Sequence, residues 1–83
     1  MDILICDDEP LALERLSRLV TQLGHQVTGH ATHGQQAVEL ARSLEPDVVL
    51  LDIQMPEMDG LACAQYLRQL EPMPAIIFCT AYD

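Results

Sequence analysis

The chain has 83 residues, with 13 Asp and Glu against 4 Lys and Arg, a formal net charge of −9 and a hydrophobic fraction of 49%. That length admits one small domain, and the hydrophobic fraction excludes a disordered acidic tail. The acidity argues against this segment gripping a nucleic-acid backbone, which needs Lys and Arg to neutralise phosphates, and suits cations or basic partners instead. Residues 2–6 (DILIC) are apolar and β-branched, stop at an acidic pair, and read as a buried strand. Pro10 then stands where a first helical turn tolerates proline. Ala12, Leu16, Leu19, Val20 and Leu23 follow at helical spacing, with Arg15, Arg18 and Gln22 on the other face and Gly24 as a stop. Residues 26–32 (QVTGHAT) form a weaker strand, polar enough for an edge. Residues 34–44 (GQQAVELARSL) form a second helix with Ala37, Leu40, Ala41 and Leu44 inward, ended by Pro46.

Residues 47–52 (DVVLLD) carry an unbroken Val-Val-Leu-Leu run between two aspartates, the pattern of a strand covered on both faces in a parallel sheet. The loop IQMPEMDG leads to a third helix from about Leu61 to Leu70, with Cys63, Leu67 and Leu70 inward. After Pro72, residues 74–79 (PAIIFC) give a fourth strand whose Ile76-Ile77-Phe78 run is expected to be buried on both faces. The order β-α-β-α-β-α-β implies an α/β domain with parallel strands and right-handed crossovers.

Several other classes drop out. No apolar run approaches the roughly 20 residues of a membrane span, and the start MDILICDDEP has no basic segment before an apolar one, so it does not read as a signal peptide. Cys6, Cys63 and Cys79 form no C-x-x-C pair and read as small buried hydrophobes in a reducing cytoplasm. His25, His30 and His33 fit no metal spacing and are expected at the surface.

The chemistry lies in three aspartates. Asp7 and Asp8 end the first strand and Asp52 ends the third. In a doubly wound sheet, ligands gather at the carboxyl ends of strands where the winding reverses. Neighbouring strands lie about 4.8 Å apart, close enough for the carboxylates to share one ion. A hard divalent cation such as Mg2+ would offset their repulsion.

These residues carry a resemblance. VVLLDIQMPEMDG at 48–60, DDEP at 7–10 and FCTA at 78–81 together resemble the receiver domain of two-component response regulators, along the entire chain. The resemblance implies a flavodoxin-like doubly wound parallel sheet. It also implies that Asp52 accepts a phosphoryl group from a phosphohistidine on a sensor histidine kinase. Asp7 and Asp8 would hold Mg2+ with Asp52, one of them through water, and the backbone carbonyl of Gln54 would add a ligand. Thr80 would hydrogen-bond the phosphoryl oxygens, with the Ala81 amide nearby. Such a module phosphorylates itself and turns over no free substrate, so it is not an enzyme in the usual sense.

Members of that family have five strands, ordered 2-1-3-4-5. Residues 1–83 are therefore expected to be the N-terminal portion of a receiver, lacking the last α-β-α and the family's phosphate-contacting lysine. The chain contains no lysine to replace it. A bare fourth strand invites self-association. The stretch DDEPLALERL also resembles receivers attached to LytTR-type DNA-binding output domains, which implies a bacterial transcription regulator whose DNA contacts lie outside this chain. Two other readings exist. An aspartyl-phosphate phosphohydrolase of the haloacid-dehalogenase kind needs an acidic residue two positions after its nucleophile, where this chain has Gln54. A phosphorylation-independent interaction module would not need the acidic trio.

Overall fold

The computed structural model describes residues 1–55 and 58–79, over which strands alternate with helices. The elements are β1 (Asp2–Cys6), α1 (Pro10–Gln22), β2 (Gln26–Ala31), α2 (Gly34–Leu44), β3 (Val48–Asp52), α3 (Gly60–Leu67) and β4 (Ala75–Cys79). The strands form one parallel sheet in the order β2-β1-β3-β4.

Side chains alternate across each strand, and that alternation divides the core in two. Leu4 and Cys6 of β1 and Val49 and Leu51 of β3 face α2 and α3, where they meet Ala37, Val38, Ala41, Cys63, Ala64 and Leu67. Ile3, Ile5 and Val48 face the other way, against Val20, Leu13 and Leu16 of α1. Each fully buried Leu or Ile contributes about 1.5–3 kcal/mol, so the two central strands, buried on both sides, hold the sheet together.

The α1 face differs from the expected one. Leu19 and Leu23 are 50% and 66% exposed, and Leu13 packs inward with Leu16 and Val20. Positions 13, 16 and 20 follow the i, i+3, i+7 stripe that meets Ile3 and Ile5. Leu19 turns to the flank, and Leu23 lies past the last helical residue. Pro10 starts the helix without a side-chain cap.

In α2 the His33 ring Nδ1 accepts the Gln36 N–H at 3.3 Å and caps the first turn. Leu44, expected inward, ends the helix exposed. Glu45 follows at φ 49°, a left-handed turn that leads the chain into Pro46. The third helix is shorter than its apolar pattern suggests. It ends at Leu67, and tighter bonds from the Gln69 N–H to the Tyr66 carbonyl (3.1 Å) and from the Leu70 N–H to the Leu67 carbonyl (3.2 Å) follow. Leu70 still packs partly on the core.

Two strands show irregularity. β2 skips a residue against β1, passing from Ile3↔Val27 to Leu4↔Gly29, so Thr28 bulges. β4 pairs with β3 alone among the described residues, and the expected burial of its apolar run on both faces does not occur: Ile77 is 51% and Phe78 39% exposed. Nothing among the described residues covers its far side.

Candidate metal centre

In a parallel sheet every strand delivers its carboxyl end to the same edge. β1 and β3 are neighbours, and their register pairs Cys6 with Leu51, so the next residues, Asp7 and Asp52, arrive at the same level. α1 leaves β1 on one face of the sheet and α2 enters β3 from the other. The winding therefore reverses between these two strands, which is where a crevice opens. The Asp7 N–H donates to the Ala31 carbonyl at 2.9 Å and carries the β1–β2 ladder one residue further.

The carboxylate oxygens of Asp7, Asp8 and Asp52 lie within 4.8 Å of one another. Asp7 is 7% exposed, the one buried charged or polar side chain among the described residues. Asp52 is half-buried and Asp8 exposed. The Glu9 N–H donates to Asp7 Oδ1 at 2.9 Å, and the Gln54 N–H to Asp52 Oδ1 at 3.2 Å. Each amide comes from two residues further on, so each carboxylate is aimed by its own turn. Burial raises the Asp52 pKa above the ordinary carboxylate value, and Asp7 and Asp8 raise it further. The Gln54 N–H acts in the opposite direction.

The cleft holds about 290 Å³ and is lined by Asp7, Asp8, Glu9, Ala12, Asp52 and Gln54. None of these residues is basic, so the lining itself supplies no counter-charge. Three converging carboxylates, one of them buried, form an all-oxygen donor set that fits a hard divalent cation such as Mg2+. The backbone at Asp52 and Ile53 packs closely against Gly60. The Gly60 N–H donates to the Ile53 carbonyl at 2.8 Å. A Cβ on Gly60 would run into the Asp52 carbonyl oxygen and lie 2.6 Å from the Ile53 Cα, so only glycine fits there.

Asp7, Asp8 and Asp52 thus come together as the sequence reading expects, and Gln54 lines the same cleft. Thr80 and Ala81 lie outside the described residues. Cys79, which pairs with Asp52, is the last described residue of β4. The strand pattern gives no sign that Glu9 and Ala12 complete the cleft wall. Their placement follows from Pro10 starting a helix directly over the strand end.

The histidines are not brought together. His25 lies 3.2 Å from the N-terminal amine, His30 bonds Ser17 at 2.7 Å, and His33 caps α2. The three cysteines are free thiols, and β3 separates Cys6 from Cys79. Burial pushes the Cys63 thiol up to about 11 and raises Cys6 and Cys79 as well, so none of them is a ready thiolate. Met55 is buried and Met58 packs partly on the core, so both serve loop packing. A larger groove of about 400 Å³ between α2 and α3 shares no lining residue with the aspartate cleft. No described helix is long and apolar enough to cross a membrane.

Known proteins share this fold. The family described as the response regulator receiver domain matches residues 3–83. The chain is 56% identical over 85 aligned positions to the positive alginate biosynthesis regulatory protein of Pseudomonas aeruginosa, covering 100% of this chain and 34% of that protein. It is 39% identical to the chemotaxis protein CheY of Thermotoga maritima, covering 95% of this chain and 66% of that protein. Among solved structures, the CheX–CheY–BeF3–Mg2+ complex of Borrelia burgdorferi superposes with a TM-score of 0.92 at 28% identity, over 99% of this chain and 63% of that one. The chain thus spans between about one third and two thirds of the length of these relatives.

Proposed function

The chain belongs to the response regulator receiver family, and on that premise we propose that it is a phosphoacceptor module in which Asp52 takes a phosphoryl group from a phosphohistidine of a sensor histidine kinase. The observation that carries this reading is the convergence of the Asp7, Asp8 and Asp52 carboxylates within 4.8 Å, in a cleft with no basic lining residue. Asp7, Asp8 and Asp52, with the Gln54 backbone carbonyl, would hold Mg2+. Bound there, Mg2+ would offset the negative charge of the phosphoryl oxygens.

The chain's own residues do the rest. An oxygen of Asp52 is the nucleophile: a new O–P bond forms, the N–P bond of the donor breaks, and the imidazole keeps the electron pair. The Gln54 N–H fixes the orientation of the Asp52 carboxylate, and the loop closure at Gly60 fixes the backbone behind it. Thr80 and the Ala81 amide, next in sequence after Cys79, would contact the phosphoryl oxygens. No free substrate is turned over.

In this reading residues 1–83 supply the N-terminal portion of the receiver. The phosphoryl state controls an output domain elsewhere in a cytoplasmic protein. The relative named as an alginate biosynthesis regulatory protein favours a regulatory output, and the stretch DDEPLALERL favours a LytTR-type DNA-binding domain. The exposed, uncharged edge of β4 would also let this chain associate with itself.

Incubation with Mg2+ and a small acyl phosphate tests the nucleophile. Intact-mass measurement is expected to show one added phosphoryl group in the wild type and none in Asp52→Asn. An Asp52→Asn variant that still gains the mass overturns the assignment. Multiple turnover on small phosphate esters would favour a phosphohydrolase instead.

A further inference from the structure

Gly34 opens α2 and is buried, and its surroundings leave no room for a side chain. A Cβ at this position would lie 2.7 Å from both the Cβ and the carbonyl oxygen of Met58, and 2.9 Å from its Cγ. Restoring ordinary carbon–carbon contact would need a displacement of roughly 1 Å. α2 has little freedom to make that move. His33 caps its first turn, Cys63 Sγ reaches the Gly34 carbonyl at 3.6 Å, and Ala37, Val38 and Ala41 are buried in the core. Met58 belongs to the loop that follows Asp52. Two residues later, Gly60 hydrogen-bonds Ile53 and lies against the Asp52 backbone.

We propose that Gly34 is a positioning residue for the aspartate site: its bare backbone seats Met58, and through Met58 and Gly60 it sets where the Asp52–Gln54 backbone stands. Its consequence for metal binding and phosphoryl transfer rests on the functional reading above. The backbone placement does not. Alanine is the better helix former, so a loss on Gly34→Ala has to come from the loop contact and not from helix propensity.

The test compares Gly34→Ala with Val20→Ala, which opens the core on the α1 side of the sheet, away from the loop. Two readouts are taken: the backbone amide resonances of Ile53, Gln54 and Gly60 without metal, and the Mg2+ dissociation constant. Gly34→Ala is expected to shift those amides and to weaken Mg2+ roughly tenfold, the scale on which misplaced supporting groups affect metal sites. Val20→Ala is expected to lower the melting temperature and leave both readouts at wild-type values. Adding Met58→Gly to Gly34→Ala is expected to recover part of the affinity.

Wild-type amides and affinity in Gly34→Ala overturn the proposal, as does an equal effect in Val20→Ala. If Gly34→Ala does not fold, Met58→Gly removes the Cβ and Cγ that lie against Gly34 without crowding. It is expected to move the same amides, and their constancy overturns the proposal. A wild-type protein that binds no Mg2+ would defeat the metal reading, while the amide shifts would still decide the role of Gly34.

Discussion

Asp52 sits where its negative charge is disfavoured. Burial and the neighbouring Asp7 and Asp8 raise its pKa in the fold. A raised carboxyl pKa means that the folded state favours the protonated form. That contribution to stability is complete below the unfolded value of about 3.9 and is lost as pH rises through the folded value. At neutral pH without metal, the charge on Asp52 therefore works against the fold. Asp52→Asn in chelator at pH 7 is expected to melt higher than wild type. The gap should close when both are melted below about pH 4. A lower-melting variant at pH 7 would show that the repulsion is not felt. With Mg2+ at a hundredfold excess over its dissociation constant, the wild type should gain about 2.7 kcal/mol, and Asp52→Asn much less.

The three aspartates were legible because each follows an apolar run that could only be a strand, and a parallel sheet sends all such ends to one edge. Glu9 and Gly34 were not legible as site residues. Which wall a helix start forms, and which loop backbone presses on a glycine, depend on tertiary packing that leaves no periodic trace.

Among the elements, the helix ends carry contributions that can be measured singly. The Ala62 N–H donates to Asp59 Oδ1 at 2.8 Å at the start of α3. Asp59→Ala is expected to cost about 1 kcal/mol in urea unfolding, whereas Asp59→Asn should be close to neutral. Equal losses in both would point to the charge rather than the cap. For β4, Ile77→Lys places a charge on the exposed edge and is expected to reduce the association state in sedimentation. A wild-type chain that sediments as a monomer at high concentration would contradict self-association through this strand. Strand and helix order followed from the alternation of apolar runs with amphipathic stretches. The side-chain faces were less secure. Leu13 and Leu19 are both compatible with an apolar stripe, and only the position of β1 beneath α1 decides that Leu13 goes in and Leu19 out. α3 ran short of its apolar pattern because tighter turns replace its last helical bonds, although Leu70 still reaches the core.

At the scale of the whole molecule, the −9 charge is not spread evenly over function: three of its aspartates meet in a single cleft at the reversal of a doubly wound sheet. That placement gives a small acidic chain an all-oxygen donor set that fits a divalent cation, in a chain that contains no lysine. The central claim is that these carboxylates act as one cation-dependent phosphoacceptor site, and it is tested by phosphoryl incorporation measured against Mg2+ concentration in wild type and Asp7→Asn. Incorporation in the wild type should be absent in chelator and saturate with Mg2+ as for a single ion, and Asp7→Asn should need at least about tenfold more Mg2+ to reach half-saturation. Incorporation that proceeds in chelator, or that follows the same Mg2+ curve in both proteins, would contradict it.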